Sequence, residues 1–146
     1  MLVDVEALEV LRPIGYGGQA TVWLARDPSR RSPFGWPILF AVKQVHKPQL
    51  TMSGVYKHVT RVLVECEALR ATSNHPFIST CYTSFQNLDS LFFVLDYGAL
   101  DLFVLTSGPD DSQRALPHTQ ARFYAACVAL ALKHMHALGW AYRDLK

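Results

Sequence analysis

The sequence predicts an α+β fold. Five strand-like runs fall before residue 98, one helix-like segment interrupts them, and a second, longer helical pattern follows. Half of the 146 residues are hydrophobic and 18% are charged, which suits one ordinary domain with a sizeable core and argues against disorder.

The elements follow in order. Leu8 to Ile14 reads as a strand ending in a glycine turn, and Thr21 to Ala25 as the returning strand of a hairpin. Asp27 to Pro37, with three prolines and Gly35, reads as a surface loop. Ile38 to Lys43 is a buried strand. Val55 to Arg70 is a helix, because Val59, Val62, Cys66 and Leu69 recur at helical spacing, and Asn74-His75-Pro76 stops it. Ile78 to Gln86 and Leu91 to Tyr97 are two further strands joined by Asn87-Leu88-Asp89-Ser90. Gly98 marks a break between two lobes. Asp101 to Thr106 reads as a short helix and Ser107 to Arg114 as a polar loop. Thr119 to Leu138 is the clearest helix: Tyr124, Val128, Ala131, Met135 and Leu138 form one stripe, and Gly139 ends it.

Composition narrows the function classes. A net charge of +2 with interspersed signs gives no reason to expect nucleic-acid binding. Cys66, Cys81 and Cys127 are an odd number without a C-x-x-C pair, which argues against a disulfide framework or zinc site and for a reducing compartment. Acids near Met1 stand where a signal peptide needs an apolar run, and the apolar run Phe123 to Leu132 is far short of the ~20 residues that span a bilayer.

Four features carry chemistry. In Gly15-Tyr16-Gly17-Gly18-Gln19-Ala20-Thr21-Val22, Gly15 and Gly17 lack Cβ atoms, so the backbone can approach phosphates and offer N–H donors. Taken alone this is also an ordinary hairpin with glycines for positive φ, or a dinucleotide-binding turn, although the latter must lead into a helix. Lys43 shares a strand face with the small Ala41, leaving room for an aromatic base and a reach to phosphates. Alone it is also a snorkelling strand-end lysine. Glu65 and Glu67 lie on the predicted helix. Glu65 follows Val62 by three positions and precedes Leu69 by four, which puts it at the edge of the apolar stripe and favours it as partner of Lys43. Glu67 points further to solvent, within reach of Arg70. In Arg143-Asp144-Leu145-Lys146, a carboxylate can orient a substrate hydroxyl and accept its proton, and a nearby lysine can neutralise phosphate charge. Alone this is also a solvated charged tail. The order of all four, each on the element it needs, favours phosphoryl transfer.

Asn74-His75-Pro76-Phe77-Ile78, Ala121-Arg122-Phe123-Tyr124-Ala125-Ala126 and Tyr142-Arg143-Asp144-Leu145-Lys146 make the match more specific. From about Leu8 to Lys146 the chain resembles a eukaryotic protein kinase domain of the AGC group of serine/threonine kinases. The resemblance implies a small lobe over residues 1–97, with five antiparallel strands and one helix, and a hinge with the start of a helical large lobe over 98–146. It implies ATP as the nucleotide and a protein as the substrate, in the cytoplasm or nucleus. Ile14, Gly15, Gly17, Gly18, Val22 and Ala41 would surround the nucleotide. Lys43 would bind the α- and β-phosphates, held by Glu65. Leu95 would be the gatekeeper, and the backbone of Asp96 to Gly98 would bond the adenine. Asp101 falls where the family has an acid near the ribose. Asp144 would be the catalytic base and Lys146 its phosphate-neutralising neighbour.

The sequence departs from the family in three places. Ala20 replaces the third loop glycine, Gly98 to Asp101 is one residue short, and the family's magnesium-holding residues come after such an Arg-Asp. Magnesium is therefore expected only in a complete domain, and residues 1–146 by themselves are expected to be an inactive truncated domain. The alternative is a non-catalytic kinase-like fragment that binds nucleotide or a protein partner.

Overall fold

The computed structural model describes residues 3–18, 20–47, 56–106 and 115–145, and its side chains apart from those of 56–61 and 63. Contacts divide the chain into two compact units. One is Met1–Ser73 with Ser79–Tyr97, and the other is Asn74–Ile78 with Gly98–Lys146.

The first unit is an antiparallel sheet of β1 (Glu9–Tyr16), β2 (Ala20–Arg31), β3 (Pro37–His46), β4 (Cys81–Gln86) and β5 (Ser90–Asp96), with the helix α1 (Tyr56–Thr72). The strand order is β1-β2-β3-β5-β4. Pro13 sits in β1, an edge strand, where a missing ladder donor is tolerated. Alternation gives the sheet two apolar faces. Ala25, Phe40, Val42 and Val94 are buried on one, joined by Val3 from the N-terminal segment. Val45 and Phe93 are buried on the other, against Val62 of α1, with Cys66 and Leu91 packed around them. Burying a side chain such as Phe40 contributes about 2–3 kcal/mol, so the two clusters hold the sheet from both sides.

The segment Asp27 to Pro37 is not wholly a loop. β2 continues to Arg31, and the register shift between Asp27 and Arg31 accommodates the extra residues as a bulge. Asp27 is buried, and its Oδ1 accepts from the Ser29 N–H at 2.9 Å and the Ser29 hydroxyl at 2.6 Å, while Oδ2 pairs with Arg30 at 3.1 Å. These bonds hold its carboxyl below the usual carboxylate range, the Ser29 hydroxyl most of all. The remaining turn is tight. Ser32 N–H donates to the Trp36 carbonyl at 2.7 Å, Gly35 N–H to the Ser32 carbonyl at 2.9 Å, and Gly35 takes φ +82°. The fourth strand starts at Cys81 rather than Ile78, because Asn74–Ile78 belongs to the other unit.

The second unit holds α2 (Leu102–Thr106) and α3 (His118–Ala137). The loop residue His75 stacks on His134 of α3, with ring centroids 4.9 Å apart. The end of α3 is a Schellman turn. Trp140 N–H donates to the Met135 carbonyl at 2.9 Å and Gly139 N–H to the His136 carbonyl at 3.0 Å, with Gly139 at φ +80°. No residue of α3 is fully buried; Tyr124, Val128, Ala131 and Met135 are half-buried, and Leu138 is exposed. Among the described residues no helix is long and apolar enough to cross a membrane.

Candidate functional site

The α1-facing side of the sheet collects most of the residues singled out in the sequence. Across it, Val22 of β2 pairs with Lys43 of β3, and Lys43 with Phe93 of β5. The neighbouring row is Leu24, Ala41 and Leu95. Gly15 of β1 pairs with Val22 at the edge of the first row. Ala41 therefore lies between two larger side chains as the small residue of its row, and Lys43 stands one pleat away from it.

Lys43 Nζ donates to Glu65 Oε1 at 2.5 Å. Val62 and Cys66, one turn and one residue away on α1, pack into the cluster around Phe93, and this fixes the rotation of the helix that presents Glu65. Glu67 is exposed. Arg70 turns instead to β4, donating to Ser84 Oγ at 2.5 Å. Both members of the Lys43–Glu65 pair keep contact with solvent, so the pair orients the ammonium more than it stabilises the fold.

The glycine turn is closed by Gly17 N–H donating to the Ala20 carbonyl at 2.8 Å. Neither Gly15, Gly17 nor Gly18 has positive φ, so the backbone does not demand glycine there. Nor does packing. A Cβ at Gly15 would meet Val22 at 3.6 Å, one at Gly17 the Ala20 carbonyl at 3.6 Å, and one at Gly18 nothing within 4 Å. Gly17 N–H is held within the turn, and what the three glycines leave is a backbone without Cβ atoms that an outside group can approach closely. Ile14 precedes them, half-buried in β1, and Gln19 lies outside the described residues.

At the end of β5, Leu95 packs against the α1-side cluster. Asp96 is exposed, yet its carboxylate is fully engaged. Tyr82 hydroxyl donates to Oδ1 at 2.6 Å and Thr80 N–H to Oδ2 at 2.7 Å. Sequence reasoning missed Tyr82 and Thr80; the one signal was a tyrosine in a strand, whose polar tip needs a partner when its ring is packed.

In the second unit, Gly98 is exposed and a Cβ there would meet nothing within 4 Å. Asp101 caps α2, its Oδ1 accepting from the Val104 N–H at 2.7 Å. It therefore precedes the short helix rather than starting it. Arg143 has φ +57°, and among the described residues it is the non-glycine in that region. Such a conformation costs about 1–2 kcal/mol, and it stands directly before Asp144 in the chain. Lys146 lies outside the described residues.

Cys66, Cys81 and Cys127 are free thiols. Among the described residues no three His, Cys, Asp or Glu side chains stand together as a metal-binding group, and no magnesium site is assigned to them. A pocket of about 290 Å³ opens on the other face of the sheet, between Leu8, Trp23, Val42, Gln44 and Phe92. None of the residues singled out above lines it.

The family model described as protein kinase domain matches residues 8–146. The chain is 39% identical to serine/threonine-protein kinase ppk22 of Schizosaccharomyces pombe, over 99% of this chain and 25% of that one. It is 36% identical to serine/threonine-protein kinase nrc-2 of Neurospora crassa, over 99% of this chain and 21% of that one. Similarity to human serine/threonine-protein kinase Sgk1 is 35% over 93% of this chain and 29% of that protein. The chain thus spans about a quarter of the length of the curated relatives it matches. With the sheet order, the lysine–glutamate pair and the glycine turn, the match over nearly its whole length makes this chain a member of the protein kinase domain family.

Proposed function

We propose that this chain provides the nucleotide-binding part, and the start of the substrate-binding part, of an AGC-like serine/threonine protein kinase that transfers phosphate from ATP to a protein hydroxyl. Residues 1–97 act as the small lobe. Residues 98–146 act as the hinge and the first large-lobe helices. The whole protein works inside the cell, in cytoplasm or nucleus.

The observation that carries this reading is the Lys43–Glu65 pair, standing on the same sheet face as Ala41 and Val22, with the glycine turn at the end of the same hairpin. Ile14, Val22, Ala41 and Leu95 enclose the base, and backbone from Asp96 to Gly98 bonds its edge. Gly15, Gly17 and Gly18 let backbone N–H groups reach the phosphates. Lys43, held by Glu65, neutralises charge on the α- and β-phosphates. Asp101 serves the ribose side with whatever its capping bond leaves free. Asp144 orients the protein hydroxyl and takes its proton late in the transfer, and Lys146 offsets charge on the moving phosphoryl group. In a complete domain magnesium would supply further neutralisation of the phosphate charge, beside the part taken by Lys43.

Residues 1–146 assayed as a separate polypeptide are expected to bind nucleotide without transferring phosphate. The test is titration with ATP and its Lys43→Met counterpart. Binding in the micromolar to millimolar range that falls at least tenfold in the variant supports the reading. Equal binding by both refutes the assignment of Lys43.

A further inference from the structure

Asp96 is the last residue of β5 to have a cross-strand partner, Phe40 of β3. Beyond it Gly98, Ala99 and Leu100 are all exposed. An end-of-strand residue followed by exposed chain frays unless something outside the ladder holds it. Here β4 does so. Tyr82 hydroxyl donates to Asp96 Oδ1 at 2.6 Å, Thr80 N–H to Oδ2 at 2.7 Å, and Asp96 N–H to the Thr80 carbonyl at 3.2 Å. Tyr82 is fixed in turn by its ring, which meets the buried Phe40 edge-on with centroids 5.3 Å apart at 87°. Tyr82, Asp96 and Phe40 close a circuit, because Phe40 is also the residue paired with Asp96, and Thr80 holds Asp96 from outside it. Burial and the bond to Asp96 push the Tyr82 phenol up to about 12, so it stays a donor across the physiological range.

We propose that Tyr82 is a positioning residue: with Thr80 it fixes the backbone of Asp96 and thereby sets the aim of the carbonyl that accepts the exocyclic amine of adenine. This rests on the reading above, in which the backbone from Asp96 to Gly98 bonds the base. A fixed acceptor rewards an amine and is left opposed to the keto oxygen of hypoxanthine, so the clamp acts on base selectivity more than on phosphate binding.

The experiment compares the chain with its Tyr82→Phe variant, which keeps the ring on Phe40, in binding ATP, ITP and inorganic tripolyphosphate. The parent is expected to prefer ATP over ITP. The variant should lose roughly fivefold in ATP affinity, the worth of one ordinary hydrogen bond, with ITP and tripolyphosphate unchanged. Equal loss for all three ligands would mean that Tyr82 only supports the fold, and would overturn the proposal. So would an unchanged ATP to ITP ratio in the variant, with adenine recognition by the parent still standing. A parent that does not discriminate ATP from ITP overturns the adenine reading itself, and the role of Tyr82 with it.

Discussion

Replacing Glu65 with glutamine separates a pair that orients from a pair that stabilises. Lys43 Nζ and Glu65 Oε1 are 2.5 Å apart, and their side chains are 26% and 41% exposed. In bulk water, unit charges at that distance attract by about 1.7 kcal/mol, and salt and the ordering of two long side chains reduce it further. Measured pairs of this exposure contribute about 0.2–1 kcal/mol. Glu65→Gln keeps the shape and one hydrogen bond, so unfolding in urea should shift by less than about 1 kcal/mol. Nucleotide affinity should respond more, because an unheld lysine must be ordered by the ligand. That ordering costs roughly 1–2 kcal/mol, or about 5- to 30-fold in the dissociation constant. The assay is parallel urea denaturation and ATP titration, each at low and high salt. A loss of several kcal/mol in stability with unchanged ATP affinity would refute the argument, since the pair would then be part of the core.

Further outcomes follow from the same structure. Gly35→Ala should destabilise by about 1–2 kcal/mol, because its φ of +82° suits only glycine, whereas Gly18→Ala should leave the urea midpoint unchanged and weaken ATP binding. Asp27 titrates below the usual carboxylate range in the folded chain, so its contribution is intact above the unfolded value and is lost as pH falls through the folded one. Asp27→Asn should flatten that acid limb in stability measured against pH. Tyr82 behaves in the opposite sense. Its pKa is raised to about 12, so its contribution is intact below the unfolded value near 10 and disappears as pH climbs toward 12. After discounting for solvent screening this alkaline loss amounts to about 1 kcal/mol, and Tyr82→Phe should lack it in pH-dependent thermal melts.

The sequence by itself determined the features that depend on local periodicity. Alternation along β3 assigns Phe40 and Val42 to one face and Ala41 and Lys43 to the other, and the structure buries the first pair in one core. The apolar stripe of α1 assigns Glu65 to its edge, and a glycine after Leu138 marks where α3 ends. These readings survive because each depends on residues within a few positions of one another, where the pleat and the helical repeat fix direction. Tertiary structure alone decided the rest. Three prolines made Asp27 to Pro37 look like a loop, but a buried Asp27 with Ser29 and Arg30 folds the extra residues into a bulge and lets β2 run on to Arg31. Asn74–Ile78 lies between a helix and a strand of the first unit in sequence, yet stacking of His75 on His134, 59 positions later, joins it to the helical unit. Tyr82 and Asp96 are separated by 14 positions and meet only because the register of β4 on β5 and of β5 on β3 brings them together. Register is a pairing between distant segments, set by which faces bury against which, and no local pattern encodes it.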